Sequence, residues 1–262
     1  MGTGFNCTQC GKCCHDLRIP LSVDEALDWS ARGNRVQILV EAWPLPDTGS
    51  SEDANSVHDM NRSFAGNSGT VRLRIFTTLV ARHEGACPHL RADKRCGIYH
   101  DRPRICRIYP RECRPLAEMN PALKACPPEA WTSEEVPEIL PMQSDTQQAR
   151  AIAVAHRQAS YANVPVLVRA CARLEIVSAG FAGEGFAVYE PPAGQLADAL
   201  CETGSSSRHD PVQHWSLLTN QRSTHDLLKS AGCSTRLVKQ GADYIGTVAD
   251  DCNFVTERTE TL

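Results

Sequence analysis

Arg35-Val36-Gln37-Ile38-Leu39-Val40-Glu41-Ala42-Trp43 and, further along, Thr70-Val71-Arg72-Leu73-Arg74-Ile75-Phe76-Thr77-Thr78-Leu79 are the two stretches that decide the fold class. In the first, Val36, Ile38, Val40 and Ala42 alternate with Arg35, Gln37 and Glu41. In the second, Val71, Leu73, Ile75 and Thr77 alternate with Arg72, Arg74 and Phe76. Period-two alternation of apolar and polar residues predicts half-buried strands, here antiparallel. Upstream, Leu17 to Leu21 reads as a short strand. Ser22 with Glu25 forms a capping box that opens a helix through about Ala31, and Gly33-Asn34 stops it. Between the two strands, residues 44–69 are polar and rich in Gly, Ser, Asn and Asp, which predicts a flexible loop or insertion. Downstream, Ser144 with Gln147 opens a second helix to about Ser160. Asn163-Val164-Pro165 restarts a helix to about Ile176. Gly180, Gly183 and Gly185 break the chain before a strand at Phe186 to Tyr189, and Gly204 to Ser207 is a linker candidate. The expectation is an α+β fold: a small antiparallel sheet with short helices and a cysteine-rich subdomain over 1–130, a helical region over 140–202 packing on it, and an extension over 203–262.

The 262 residues carry 27 basic and 31 acidic side chains, a net charge of -4, and 42% are hydrophobic. That balance supports a real core and excludes wholesale disorder. No stretch approaches the roughly 20 apolar residues of a membrane span. The opening Met1 to Asn6 has neither the basic nor the apolar region of a signal peptide, so the expected location is cytoplasmic. The outlying number is 13 cysteines. A disulfide scaffold is usually short, exported and even in cysteine count, and this chain is none of these. Clustered thiols in a reducing compartment are more often metal ligands.

Position divides the thirteen. Cys171, Cys201, Cys233 and Cys252 are scattered, and Cys171 lies in an apolar helical run, as a core residue would. The other nine lie between residues 7 and 126, in groups. Cys7-x2-Cys10-x2-Cys13-Cys14 lets successive thiolates converge while backbone amides turn toward the sulfurs, and Gly11 suits the tight loop. A run of three such cysteines with a remote fourth is the ligation pattern of bacterial iron–sulfur proteins, and Cys-x2-Cys pairs also serve zinc. Cys13 and Cys14 are hard to aim at one metal, so at most one of them belongs to any given site. The segment 85–128 is dominated by Cys, Arg and Pro, has little apolar material to bury, and needs a metal or another source of order.

Four submotifs stand in order: Cys7-x2-Cys10-x2-Cys13-Cys14; Cys87-Pro88-His89-Leu90; Cys96-Gly97-Ile98-Tyr99; and Arg102-Pro103-x2-Cys106-Arg107-x-Tyr109-Pro110. Together they resemble the YkgJ-type cysteine-cluster family, a zinc- or iron-chelating domain with a CxxCxxCC motif, distantly related to flagellin lysine N-methylase. The resemblance covers residues 7 to 110, extending to 126. It implies eight metal-linked cysteines: Cys7, Cys10, Cys13, Cys14, Cys87, Cys96, Cys106 and Cys126. Cys113 lies outside the pattern. The related methylase uses an iron–sulfur cluster with S-adenosylmethionine. The present chain lacks its length, the Cys-x3-Cys-x2-Cys signature of radical chemistry and a Gly-x-Gly loop, so S-adenosylmethionine is only weakly supported.

Residues 87 to 114 hold eight basic side chains against three acidic ones, a local excess of five, while the rest of the chain carries -9. Bound thiolates bring negative charge, and arginines compensate it while donating to sulfur. Arg102, Arg107 and Tyr109 are the candidates for contacting the cofactor, and the arginines could alternatively hold a substrate carboxylate. An acidic protein makes nucleic acid a poor partner, and no membrane partner is expected. His15 and His89 stand beside cysteines, but nine clustered thiols make histidine ligands unnecessary. The expectation is a cytosolic protein holding an iron–sulfur cluster, of the 4Fe-4S type, used in a redox or methyl-transfer-like reaction on an unidentified small-molecule or protein substrate. The alternative is a non-catalytic zinc-binding structural or interaction module.

Overall fold

The computed structural model describes residues 4–5, 7–45, 53–117, 120–132, 142–202, 214–246 and 255–256. In chain order these form β1 (Gly4–Phe5), β2 (Leu17–Leu21), α1 (Val23–Ala31), β3 (Val36–Pro44), α2 (Ala54–Asn61), β4 (Ser63–Ser68), β5 (Val71–Arg82), α3 (Arg104–Ile108), β6 (Trp131–Thr132), α4 (Met142–Arg173), β7 (Ser178–Phe181), β8 (Gly185–Tyr189), α5 (Ala193–Cys201), β9 (Ser216–Thr219), α6 (Arg222–Ser230), β10 (Thr235–Leu237), β11 (Tyr244–Gly246) and β12 (Val255–Thr256). The α+β class holds. The sheet is larger than expected and mixed: ten strands in the path β10-β9-β7-β3-β5-β2-β12, with β4 on β5, and with β8 joining β3 to β11. β3 and β5 pair antiparallel over nine residues, from Val36 opposite Ala81 to Pro44 opposite Leu73. β7 runs parallel to β3 and β9, and β10 parallel to β9.

The alternating faces of β3 and β5 explain where the core sits. Val36, Ile38, Val40, Ala42, Leu73, Ile75, Leu79 and Ala81 join one cluster with Ala26 and Trp29 of α1, Val164, Leu167 and Cys171 of α4, and Leu196 of α5. The opposite face is not solvated, as half-buried strands would be. Leu39 and Val80 are covered together with Val188 and Ile245. Gln37 is buried too, because its amide donates to Glu190 at 2.8 Å and its carbonyl oxygen accepts from Arg18. Alternation marks which residues share a face. Only tertiary pairing shows that both faces are covered.

α1 forms where its capping box places it: the Ser22 amide donates to Glu25 Oε2 at 2.9 Å, and the chain leaves the helix through Gly33 at φ 79. Residues 44–69, expected as a loop or insertion, instead carry α2, capped by Asp53, and β4, which pairs with β5 from Ser63 opposite Phe76 to Ser68 opposite Val71. Polar composition hid these elements because β4 contributes only Phe64 to the apolar cluster. The helix break expected at Pro165 does not occur. α4 is continuous through it, although an interior proline removes one helical donor and clashes with the preceding turn, at a cost of about 3 kcal/mol. Burial of Val164, Leu167, Ala170 and Cys171 on the same helix opposes that cost.

The stretch 203–262, expected as an extension, is woven into the sheet by β9, β10, β11 and β12, with Trp215 1% exposed. Within 140–202, β8 is the strand expected at Phe186 to Tyr189, and β7 precedes it. The linker candidate at 204–207 and Cys252 fall outside the described residues.

Candidate metal centre

Antiparallel pairing delivers the two halves of the cysteine set to one end of the sheet. β2 pairs with β5 so that Arg18 lies opposite Arg82, which puts the residues before β2 beside those after β5. The ladder continues irregularly. The Asp16 amide donates to the Gly85 carbonyl at 2.9 Å, the Gly85 amide to Asp16 Oδ1 at 2.6 Å, and the Cys87 amide to the Cys14 carbonyl at 2.7 Å. Cys14 and Cys87 are therefore backbone neighbours.

The first cysteine loop turns at Gly11, whose φ of 72 lies in the left-handed region. A Cβ there would stand 3.2 Å from Leu90 Cδ1 and 3.3 Å from the Lys94 carbonyl, so a side chain is disfavoured by conformation and crowded by the second cysteine segment. The Cys14 amide donates to the Gly11 carbonyl at 3.0 Å, closing a short turn over Lys12–Cys14. His15 Nδ1 donates to the same carbonyl at 3.0 Å, which occupies the histidine structurally.

The second segment folds back on itself. The Leu90 amide donates to the Cys87 carbonyl, Arg91 and Arg95 pair through their backbones, and the Gly97 amide donates to the His89 carbonyl at 2.7 Å. Leu90 and Cys96 form an isolated bridge, so Cys96 returns toward Cys87. His89 is held edge-on to Trp29, and Asn34 Nδ2 donates to its Nε2 at 3.2 Å. α3 then presents Cys106 while Ile105 and Ile108, each 2% exposed, enter the core. Its start is fixed from α1: Glu25 Oε1 accepts the Arg104 amide at 2.7 Å, and the Arg104 guanidinium reaches Ser22 Oγ at 2.6 Å and Asp24 Oδ2 at 3.0 Å.

The third segment brings Cys126. The Ala125 amide donates to the Tyr109 hydroxyl at 2.8 Å, and that hydroxyl is also hydrogen-bonded to Cys126. Lys124 and Glu112 form a buried ion pair beside it. β1 pairs with β6, Phe5 opposite Trp131 with ring centroids 5.1 Å apart, which ties the chain just before Cys7 to the chain just after Cys126.

All eight cysteines implied by the resemblance line one cavity of about 520 Å³. Cys113 is not among its lining residues. It is 8% exposed and belongs to the apolar core, where burial pushes its thiol up to about 12. Cys171 is a core residue as expected, Cys233 is also buried, and Cys201 is exposed. Lys94, Arg102, Arg107 and Arg111 line the cavity, and among the described residues no Asp or Glu does. The Arg102 guanidinium lies 3.7 Å over the Tyr99 ring and donates to the Tyr99 carbonyl at 2.8 Å. Sequence reasoning missed the walls supplied by Phe5, Trp29 and, from α4, Gln148, Ala149 and Ile152. Nothing in their local pattern distinguishes them from ordinary packing residues.

The thiols influence one another. Cys106 is held well above the usual thiol range by burial and by Cys14, Cys87 and Cys96, with Arg102 opposing. Cys87 is pushed up to about 11 by burial and by Cys14 and Cys96. Cys126 is pushed up to about 11 by burial and by Cys7 and Cys10, and the Tyr109 hydroxyl rises through burial and through Cys126 and Cys13. Cys14 is raised chiefly by its hydrogen bond with Cys13 and then by burial. A bound cation would reverse these shifts, since a coordinating thiol is deprotonated by the metal.

Eight sulfurs, ringed by cations, are a donor set for a thiophilic metal or an iron–sulfur cluster. Among the described residues no three Cys, His, Asp or Glu side chains converge closely enough to close around a single ion as they stand. Nor, among those residues, is any helix long and apolar enough to cross a membrane. No curated protein and no solved structure matches the chain. Residues 6–129 match the family model described as "CxxCxxCC: Putative zinc- or iron-chelating domain", which supports metal binding. The match covers the cysteine-rich part of this chain, a little under half its length, which is thus similar to the CxxCxxCC family of zinc- or iron-chelating domains.

Proposed function

We propose that residues 6–129 hold iron–sulfur chemistry of the 4Fe-4S type, in a reducing, cytoplasmic setting, with Cys7, Cys10, Cys13, Cys14, Cys87, Cys96, Cys106 and Cys126 as the ligand set. The observation that carries this reading is the shared cavity. It gathers eight sulfurs with no lining carboxylate among the described residues, and no three of these side chains close around a single ion as they stand. A zinc ion draws four sulfurs to about 2.3 Å from one point. A cubane lets each thiolate bind a different iron, and so suits sulfurs spread around a larger void. Arg102 and Arg107 would compensate the charge of the centre, and the Tyr109 hydroxyl would hold the Cys126 sulfur in place. When bound, the cluster supplies electron transfer. A redox or methyl-transfer-like reaction, with S-adenosylmethionine as cosubstrate, would meet it beside Arg102 and Arg107, which line the cavity.

Anaerobic purification tests this. The expected product is a brown protein with iron and acid-labile sulfide in equal amounts. A colourless protein carrying stoichiometric zinc would overturn the iron–sulfur reading in favour of a zinc-folded module. That second reading is favoured by one observation: among the described residues from 83 to 130 the only α-helix is the five-residue α3, so metal would be the main source of order there.

A further inference from the structure

We infer that the surface beside the cysteine cavity is a docking site for an acidic electron-carrier protein, which meets Lys12, Arg91, Lys94 and Arg95 around the stacked pair Tyr99 and Arg102. The docking follows from the surface itself. What the docked partner does rests on the iron–sulfur reading above.

The first observation is a set of cations that the thiols do not account for. Lys94 and Arg102 line the cavity, but Lys12, Arg91 and Arg95 do not. Lys12, Arg91, Lys94 and Arg95 are all exposed, and none of the four forms an ion pair among the described residues. By contrast, Arg32 meets Asp28, Arg35 meets Glu190, Arg104 meets Asp24 and Arg114 meets Asp59.

The fold holds these cations together. The Arg91 amide donates to the Arg95 carbonyl at 2.9 Å, and Lys94 takes a φ of 66, so 91–95 is a tight turn closed at its base by the Leu90–Cys96 bridge. A Cβ at Gly11 would stand 3.3 Å from the Lys94 carbonyl and 3.4 Å from the Lys94 Cβ, which places the turn carrying Lys12 against the turn carrying the other three. From residue 85 to residue 111 the only acids are Asp93 and Asp101. Asp93 Oδ1 is engaged by the Arg95 amide at 3.1 Å.

The second observation is the stack. Tyr99 is 39% exposed, and the Arg102 guanidinium lies 3.7 Å over its ring. Tyrosine and arginine are among the residues that dominate binding energy at protein interfaces, and a stacked pair is already ordered before a partner arrives. Lys94 and Tyr99 are both exposed and both line the cavity, so the cavity meets the surface there and a partner on this face lies close to the cysteines.

The third is the distribution of charge. Residues 87–114 carry an excess of five positive charges and the rest of the chain carries -9. Such a field draws a compact acidic protein to one face and turns it away from the others. A long nucleic-acid strand would also run against the acidic remainder. Redox encounters use small interfaces, under about 1,200 Å² in total, which suits a few cations around one anchor. In the step itself, the reduced carrier gives one electron to the oxidised cluster. The carrier is oxidised by one electron, the cluster is reduced by one, and no bond or proton changes place.

The test uses the full protein purified anaerobically and a plant-type ferredoxin as the acidic probe. Binding is read by titration calorimetry, and cluster reduction by stopped-flow absorbance. The association constant should fall about tenfold or more between about 0.05 and 0.5 M salt. Arg91→Glu combined with Arg95→Glu should weaken binding about tenfold while leaving metal content and circular dichroism unchanged. If that variant fails to fold, the salt dependence of the wild-type protein still decides. A brown protein that binds no ferredoxin, or binds it without regard to salt, overturns the docking site and leaves the cluster standing. So does a folded variant that binds as tightly as the wild type. A single-stranded oligonucleotide bound more tightly than ferredoxin overturns the protein partner in favour of nucleic acid. Salt-sensitive ferredoxin binding by a protein that carries zinc sustains the acidic partner, but overturns the iron–sulfur reading and the electron step with it.

Discussion

Glu25 is the side chain through which the fold holds the Cys106 side of the cavity, and its replacement separates scaffold from ligand. Its carboxylate accepts the Ser22 amide and hydroxyl at 2.9 and 2.7 Å, accepts the Arg104 amide at 2.7 Å, and pairs with the Arg104 guanidinium at 3.2 Å. Losing the capping partner costs about 1 kcal/mol. Losing a charge-assisted bond to a partly buried amide costs about 1.5–3 kcal/mol more. The partly exposed ion pair adds under about 1 kcal/mol, and Arg104 keeps Asp24 and Ser22 as partners. Glu25→Ala should therefore lose about 3–4 kcal/mol. Glu25→Gln, which keeps the shape and the capping geometry but not the charge, should lose about 1–2 kcal/mol. The assay is urea unfolding of the metal-loaded protein at fixed metal concentration, followed by far-ultraviolet circular dichroism, together with the rate of metal release to a chelator. Release should quicken in Glu25→Ala although no ligand has been touched. A loss below about 1 kcal/mol in Glu25→Ala, or equal damage from both variants, would refute the idea that α3 is anchored through this carboxylate.

Other expectations follow from packing and ionisation. Trp215→Ala should cost about 3–5 kcal/mol in thermal or urea unfolding, because the ring is 1% exposed and tilted against Phe64; a surface-like effect would contradict the place of residues 214–246 in the sheet. Gly180→Ala should destabilise by about 2–4 kcal/mol, since the added Cβ would lie 2.1 Å from the Gly185 carbonyl oxygen in the adjoining strand. Cys113→Ala should leave metal content unchanged, whereas Cys106→Ala should lower it; elemental analysis decides. Burial, with Arg62 adding to it, lowers His58 from 6.5 to about 4, and the Tyr161 hydroxyl lies 2.7 Å from its Nδ1. A neutral histidine of this kind contributes stability that is fully present above the unfolded value near 6.5 and is lost as pH falls from there toward about 4. His83, His89 and His156 are lowered as well and act in the same direction. His58→Gln should flatten that acid-side slope without abolishing it, as read from unfolding midpoints between pH 7 and pH 4.

How much of this was legible from sequence depended on how local the cause is. The capping box at Ser22 and Glu25 produced α1 where it was expected, because its partners lie three residues apart. The alternation in β3 and β5 identified two strands and their core-facing residues. It did not show the second covered face, whose partners Val188 and Ile245 come from far along the chain. Asp53 does cap α2, but the polar stretch around it gave no apolar period to follow, and β4 is a strand because β5 lies beside it. Cys113 lies outside the submotifs in sequence, but only the structure shows that it is in the apolar core and away from the cavity.

The sequence by itself determined which residues stand out: the clustered cysteines, the arginines among them, and the two strands at the centre of the sheet. These are properties of residue type and short spacing, which need no partner to be read. The tertiary structure decided the rest. The β2–β5 register brings Cys14 beside Cys87, the β1–β6 pair connects the chain at Cys7 to the chain at Cys126, and α4 closes the wall with Gln148, Ala149 and Ile152. It also decided that the last sixty residues, which carry no motif, supply four of the ten strands. Strand pairing and burial join residues distant in the chain, and their free energy belongs to the pair rather than to either sequence segment alone.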